Sequence, residues 1–285
     1  MANLKDIRDQ IKSVKSIQKV TKAMKMVAAA KMRKAQEHME EARPYAQRIS
    51  EVIQHLLPDV DREILDLLDV RTVNRVAYVV VTSDRGLAGS FNTNVLKKAQ
   101  NEIDTIGKDS VDVFCIGKKA RDYFKRRDYS IIDSHIDFWN DLSYGDAIRI
   151  GKGIISHFTE KRVDEIHVVY NEFVNVANQY VESEKLLPLE FEGDESAQSD
   201  RLYEPDKDIL VKSLIPRHLN IQVWKYLLES FASEQAARMV AMENATENAE
   251  EMIKDLTMKF NKARQAAITK EILEIVGGAE ALKQV

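Results

Sequence analysis

The chain has 285 residues, of which 44% are hydrophobic, 31% charged and 7% aromatic, and its formal net charge at pH 7 is −4. Its longest uninterrupted apolar run is Val76–Val81, far short of the roughly 20 residues that a membrane-spanning helix needs. The one cysteine, Cys115, excludes an internal disulfide. Because Met1 leads directly into charged sequence, we expect no signal or transit peptide, and a reducing compartment fits.

Glycine and proline divide the chain into three parts. Residues 1–43 and 217–276 contain neither, whereas all ten glycines lie at 86–193 or at 277–278. Because these two residue types disfavour helix more than any others, the sequence predicts two long terminal helices around a compact middle. The predicted domains are 1–57 (N-terminal long helix of a coiled coil), 70–212 (α/β foot domain) and 213–285 (C-terminal long helix of the coiled coil).

The first helix is predicted over about residues 3–57, and its apolar residues recur at coiled-coil spacing. Three successive steps of three, from Ile11 to Val20, predict a local change in supercoil. Residues 1–35 carry ten Lys/Arg against two Asp, a net charge of +8. This charge suits phosphate backbones or an acidic protein partner, and we favour the protein because few aromatic residues are available for base stacking. The predicted seam consists of Leu4, Ile7, Ile11, Val14, Ile17, Val20, Met24 and Val27.

The last helix is predicted over about residues 213–276. Its apolar stripe has a mean step of about 3.7 residues, which predicts weak supercoiling. If the two helices pair antiparallel, the second projects roughly one to two turns beyond Met1. Its apolar end must then be enclosed by a partner or fold back on the chain, and we favour enclosure because folding back leaves the seam unpaired. The stripe consists of Leu219, Val223, Leu227, Phe231, Ala237, Ala241, Ala245, Ala249, Met252, Leu256, Phe260, Ala263 and Ala267.

The middle of the chain alternates strand-like and helical stretches. This alternation predicts a parallel sheet in a Rossmann-like α/β domain, so the fold class is α/β with a long antiparallel coiled coil of the N- and C-terminal helices. Strands are predicted over 76–81, 112–116 and 163–170, and helices over 92–106, 118–127 and 146–160.

Residues 82–90 follow the first strand and precede a helix, where open α/β sheets often bind ligands. They match neither the P-loop nor the dinucleotide-binding glycine pattern, so we favour a tight turn over a nucleotide site. The six histidines show no metal-ligand spacing, and Cys115 sits in a strand pattern typical of a small core residue. We therefore expect no catalytic, cofactor or metal site.

Four segments carry a family resemblance that spans nearly the whole chain. Residues 21–35, 83–92, 234–249 and 261–272 are similar, in this order, to motifs of the γ subunits of F-type, proton-translocating rotary ATP synthases of the bacterial type. The resemblance implies a non-catalytic central rotor shaft. Such a shaft transmits rotation between the c ring and the catalytic β subunits, couples proton flow to ATP synthesis and regulates ATPase activity.

The resemblance also implies the partners and the location. The partners are three α and three β subunits, the ε subunit and the c-subunit ring, without nucleic acid and without a second copy of this chain. The implied location is the cytoplasmic face of the bacterial cell membrane. The chain is peripheral there and touches the membrane only through the c ring.

Residue roles follow from the resemblance at matching positions. Met24 and Lys25 match the segment that contacts an acidic lever of β. Glu234 and Arg238 match residues that couple the foot to the stem, and their spacing of four allows them to pair on one helix. Tyr203 matches a contact with the c ring.

Further roles fall on the last helix. Arg264, Gln265 and Thr269 match the segment that hydrogen-bonds a β loop, the β catch. Ile272, Ile275 and Val276 match an apolar bearing.

Two rival hypotheses stay open on sequence alone: a coiled-coil adaptor with an α/β head, and a nucleotide-binding enzyme that uses residues 84–89.

Overall fold

A computed structural model describes residues 4–56, 66–189 and 206–283. The chain divides into two compact units. One, here called the foot unit, contains residues 28–238; the other, the coil unit, contains the residues up to 27 and those from 239 onward. Among the described residues no helix is both long and apolar enough to cross a membrane. The helices are α1 (Leu4–Leu56), α2 (Phe91–Ile106), α3 (Lys118–Lys125), α4 (Tyr144–Thr159) and α5 (Lys207–Lys283).

The foot unit contains a five-stranded sheet in the order β3-β2-β1-β4-β5. Its first four strands are parallel, and β5 pairs antiparallel with β4. The predicted parallel sheet is confirmed for the strands that the sequence patterns identified, and β5 adds an antiparallel strand at its edge. The sequence patterns for β1, β2 and β4 are confirmed, whereas β3 and β5 were not predicted. The strands are β1 (Val76–Val81), β2 (Val111–Ile116), β3 (Ser130–His135), β4 (Glu165–Phe173) and β5 (Gln179–Leu187).

Helices cover both faces of this sheet. Every residue of β1 and β2 is buried, as expected for central strands of a parallel sheet. One face packs against α2 and α3 through Val95, Ile103 and Phe124. The other face shares a core with α4, α5 and the last turns of α1, where Ile53 and Leu56 are fully buried. Both terminal helices are therefore anchored in the core of the foot unit.

The coil unit is an antiparallel pair formed by α1 and α5. The Thr21 and Thr246 hydroxyl oxygens lie 2.7 Å apart, Lys25 pairs with Glu243, and the Arg8 guanidinium lies 5.7 Å from the centre of the Phe260 ring. From residue 25 to residue 8 of α1, the partner moves from 243 to 260 of α5, which is the same number of residues in the opposite direction. The two helices therefore keep one register along the unit.

The seam between them follows a heptad pattern throughout. The successive steps of three predicted for α1 and the mean step of about 3.7 residues predicted for α5 are therefore both wrong. Ile17, Val20 and Val27, predicted in the seam, are 52%, 58% and 56% exposed, and Met252 of α5 is 52% exposed. The polar residues Gln18, Thr21 and Lys25 occupy the seam instead, and Thr21 and Lys25 pair across it with Thr246 and Glu243. Regular alternation of three and four predicts a left-handed supercoil. The observed seam is Ile7, Ile11, Val14, Gln18, Thr21 and Lys25 of α1 with Met242, Thr246, Ala249, Ile253, Leu256, Phe260, Ala263 and Ala267 of α5.

The last turns of α5 extend beyond its pairing with α1. In the observed register, Leu4 lies opposite Arg264, and α5 continues to Lys283, about 28 Å further at 1.5 Å per residue. All residues from Ile268 to residue 279 are exposed. The projection is longer than predicted, because the helix continues through Gly277 and Gly278 instead of ending at residue 276.

Gly117 joins β2 to α3 in a conformation that only glycine adopts easily. Its φ is +94°, and an added Cβ would lie 2.1 Å from the backbone oxygen of Thr82. We expect Gly117→Ala to lower the free energy of unfolding of the foot unit by about 2–4 kcal/mol, through backbone strain plus this collision. Urea denaturation followed by circular dichroism measures this loss in the free energy of unfolding. The matched control is Gly107→Ala, which has φ +111° but no atom within 4 Å. Equal losses in the two variants would contradict the collision.

Glu229 of α5 makes the stability of the foot unit depend on pH. Burial, reinforced by Glu172 of β4 and Glu184 of β5 and opposed by Lys225, raises the pKa of Glu229 to about 7. Glu184 already accepts hydrogen bonds from the hydroxyls of Tyr170 and Tyr226, and Glu229 Oε2 is buried without a hydrogen-bond partner among the described residues.

A raised carboxyl pKa stabilises the fold below the unfolded-state pKa, and this stability is lost as pH rises through about 7. We therefore expect Glu229→Gln to be more stable than the parent chain at pH 8, by about 1–3 kcal/mol, with little difference at pH 5. Urea denaturation at both pH values measures this, with Glu160→Gln at the exposed end of α4 as control. A gain that is the same at both pH values would contradict the titration.

Candidate functional site

The loop after β1 is held by its own side chains. The Asn92 side chain accepts a hydrogen bond from the Ser83 amide at 3.0 Å and donates one to Ser83 Oγ at 2.9 Å. The Asp84 carboxylate accepts backbone N–H bonds from Lys118 and Asp137, each 2.8 Å long. Both oxygens of Asp84 therefore fasten the loop to the segments that follow β2 and β3.

Arg238 connects this loop to α5. Its Nη1 donates to the Gly86 carbonyl oxygen at 2.7 Å, and its Nη2 pairs with the Glu234 carboxylate. Gln235 donates to the other oxygen of Glu234 at 3.1 Å. Burial raises the pKa of Glu234, and the Arg238 guanidinium opposes this shift. The predicted pairing of Glu234 with Arg238 is confirmed, whereas sequence reasoning missed the third partner, Gly86.

The same helix crosses the position where an open α/β sheet commonly binds a ligand. Strand order reverses its direction between β1 and β4, which makes their carboxyl ends the switch point of the sheet. Ser230 and Ser233 of α5 hydrogen-bond the Asn171 backbone near the end of β4, each at 3.4 Å, and Arg238 bonds the loop after β1. The side chains of α5 thus occupy this edge, which supports the tight-turn interpretation of residues 82–90.

A metal centre finds no support in the described part of the chain. No group of three or more His, Cys, Asp or Glu side chains is arranged there to hold a metal ion. Cys115 is fully buried in β2, and burial raises the pKa of its thiol to about 12. Its thiol therefore stays protonated at neutral pH and contributes to the core.

Met24 and Lys25, predicted to contact the same lever, lie on different faces of α1. Lys25 is in the seam, and its ammonium pairs with Glu243. Met24 belongs with Ile17, Val20 and Val27 to a second row at spacings of three and four, here called the outer stripe. Three of these four residues are more than half exposed. The outer stripe is therefore an apolar surface that α5 leaves uncovered.

A charged groove lies elsewhere along the same helical pair. Lys19 and Lys22 of α1 and Glu247 and Glu250 of α5 line it, and its volume is about 450 Å³. Opposite charges face each other across it, as at flanking positions of coiled coils, where they select the partner helix and its orientation. One side of the pair is thus lined by opposite charges, whereas the outer stripe is apolar.

The remaining predicted residues lie beyond or near the end of the paired region. Arg264, Gln265 and Thr269 are exposed, and Thr269 bonds back to the Gln265 carbonyl oxygen at 2.9 Å. Gln265 and Thr269 are one turn apart on one face of the helix. The predicted bearing residues Ile272, Ile275 and Val276 are 55%, 71% and 57% exposed. Tyr203 lies outside the described residues.

Comparisons with known proteins place the chain in a family. The family model described as ATP synthase matches residues 3–282. An ATP synthase gamma chain of Prosthecochloris aestuarii is 48% identical over 99% of both chains. One of Chloroherpeton thalassium is 45% identical over 100% of this chain and 99% of its own length.

Solved structures show the same fold. A chain of the Euglena gracilis mitochondrial ATP synthase, OSCP/F1/c-ring, in rotational state 3, has a TM-score of 0.70 at 23% identity. The alignment covers 98% of this chain and 94% of that one. A chain of the Tetrahymena thermophila mitochondrial ATP synthase central stalk/c ring has a TM-score of 0.62 at 24% identity, over 79% of this chain and 99% of that one. The match of the family model and the identity to full-length relatives show that this chain belongs to the ATP synthase gamma-chain family.

Proposed function

We propose that this chain is the non-catalytic central shaft of a rotary ATP synthase. It transmits rotation between a c ring and three catalytic β subunits, and so couples proton flow to ATP synthesis and regulates ATPase activity. Its partners are three α, three β and one ε subunit and the c ring. It acts at the cytoplasmic face of the bacterial cell membrane, which it touches only through that ring.

The projecting end of α5 is the observation that carries this proposal. Five large apolar residues there are 48–71% exposed, on a single helix without a partner helix among the described residues. An unsupported helix of this length is marginal in water. Burying each Ile, Leu or Val would contribute roughly 1.5–3 kcal/mol, so a surrounding sleeve of other subunits stabilises this end. The residues are Ile268, Ile272, Leu273, Ile275 and Val276.

The contact with the β lever is divided between two kinds of residue. Met24 meets the lever directly, because it lies on the outer stripe. Lys25 acts through its pair with Glu243, which holds the two helices together beneath that surface. The net charge of +8 over residues 1–35 attracts an acidic lever.

Arg238 and Glu234 pass torque from the foot unit into α5. Arg238 links the helix to the loop after β1 through a bond to a backbone oxygen, which side-chain rotation in the loop cannot release. Glu234 holds the guanidinium in place. The buried pair thus opposes sliding of α5 against the sheet.

The β catch and the c-ring contact complete the assignment. Arg264 forms no ion pair within residues 4–56, 66–189 and 206–283, so its guanidinium is available to a β loop, together with Gln265 and Thr269. Ile272, Ile275 and Val276 form the bearing surface. The contact of Tyr203 with the c ring rests on the sequence resemblance alone.

Native mass spectrometry of the tagged chain, purified gently from its own cells, tests the proposed function. We expect one copy of this chain with three α, three β and one ε subunit. A monomer or a homodimer, under conditions that preserve ATPase assemblies, would contradict the proposal. Such a result would favour a coiled-coil adaptor.

We expect Arg238→Met to uncouple the enzyme. The substitution removes the bond to Gly86 and leaves the Glu234 carboxylate buried without its cation, at a cost of about 3–5 kcal/mol in stability. ATP-driven proton pumping should fall at least fivefold relative to ATP hydrolysis, measured together in membrane vesicles.

The control is the double variant Glu234→Gln/Arg238→Met, which removes the unpaired charge. It should regain stability without regaining coupling, because the bond to Gly86 is still missing. Full coupling in either variant would exclude this pair from the torque path.

A further inference from the structure

Two depressions lie side by side on the foot unit, between α1 and α5. The first, here called the basic cup, has a volume of about 260 Å³. Lys31 and Lys34 of α1 form one wall, and Trp139 and Phe231, stacked at 6.0 Å with an interplanar angle of 5°, form an aromatic wall. It therefore combines positive charge with a rigid apolar surface.

The charge of the basic cup is balanced only in part by the chain itself. Lys34 forms no ion pair or hydrogen bond within the described ranges, whereas Lys31 donates to Asn140 Oδ1 at 3.4 Å and interacts electrostatically with Glu234. Asp141 is the one carboxylate among the lining residues. A ligand that brings a carboxylate to this cup would satisfy the uncompensated lysine.

The second depression, here called the aromatic cup, has a volume of about 490 Å³. Tyr45 of α1 and Tyr144 of α4 are 53% and 38% exposed, and Trp224 of α5 packs edge-to-face on Tyr144 at 6.0 Å. Ile221 and Leu142 also line it. Exposed aromatic rings held by packing are typical anchors of protein interfaces.

The two cups repeat along both helices at one spacing. On α5, Leu228 and Phe231 line the basic cup, and Ile221 and Trp224, each seven residues earlier, line the aromatic cup. On α1, Ala35 and Ala42 have the same separation. Seven residues of helix span about 10.5 Å. A third helix laid along the groove would meet one cup and then the other every two turns.

We propose that this double cup is a docking site for an α-helix of a partner subunit. That helix carries an Asp or Glu and a large apolar residue seven positions apart, the first in the basic cup and the second in the aromatic cup. The inference rests on the proposed function, because it takes the partner to be another subunit of the assembly. It adds a surface on the foot unit, distinct from the outer stripe and from the end of α5.

Photo-crosslinking in the assembled complex tests the site. Glu41 lies on the rim of the aromatic cup, so Glu41→Cys, labelled with benzophenone maleimide, places the probe beside it. Cys115 is fully buried and does not compete for the label. The matched control is Glu40→Cys, a neighbouring exposed glutamate on another face of α1. Mass spectrometry then identifies the crosslinked peptide.

We expect the Glu41 probe to crosslink a helical segment of a partner subunit with the stated spacing, at least fivefold above the Glu40 probe. Lys34→Glu, an exposed substitution in the basic cup, should lower this yield at least fivefold, whereas Lys34→Arg should not. An intact assembly in which both probes crosslink equally, or in which the Glu41 probe captures this same chain, would overturn the inference alone. If native mass spectrometry shows no assembly, the proposed function and this site fail together.

Discussion

The antiparallel pairing of α1 with α5 is the interaction on which the rest of the structure depends. The two helices lie at opposite ends of the sequence, and each runs through both compact units. In the foot unit they share the core beneath the sheet, and in the coil unit they form a seam in one register. Within the coil unit, the proposed contact surfaces are consequences of that register. It directs the outer stripe away from α5 and leaves the end of α5 unpaired.

Sequence composition was sufficient to predict the helices but not which of their faces meet. The absence of glycine and proline located both, because these residues interrupt helix more than any others. The seam of α1 was assigned to Ile17, Val20 and Val27 because they are apolar, yet the structure places Thr21 and Lys25 there. Thr21 and Lys25 are tolerated there because both find a partner on α5, and no such partner is visible in one helix alone.

The edge strands and the torque path show two further limits of sequence reasoning. β3 and β5 are rich in polar residues because each lies at an edge of the sheet, so neither has the apolar run that reveals β1. The pairing of Glu234 with Arg238 was predictable from their spacing on one helix. The bond from Arg238 to Gly86 joins residues 152 positions apart, and only the folded chain brings them together.

The foot unit combines the topology of a ligand-binding sheet with a mechanical arrangement. At the switch point, α5 itself occupies the position where such sheets commonly hold a ligand. Asp84 caps backbone amides there, and the buried Arg238–Glu234 pair fastens the long helix to the sheet. The edge of the sheet that could bind a small molecule therefore holds α5 rigidly instead, as a shaft requires.

Rotation of the foot unit during ATP hydrolysis tests the central claim most directly. A probe attached at Asp109→Cys, an exposed position in the turn before β2, reports rotation of enzyme fixed to a surface through its β subunits. The account predicts that the probe turns continuously in one direction while ATP is hydrolysed. A probe that stays still while the same molecules hydrolyse ATP would show that this chain is not the shaft.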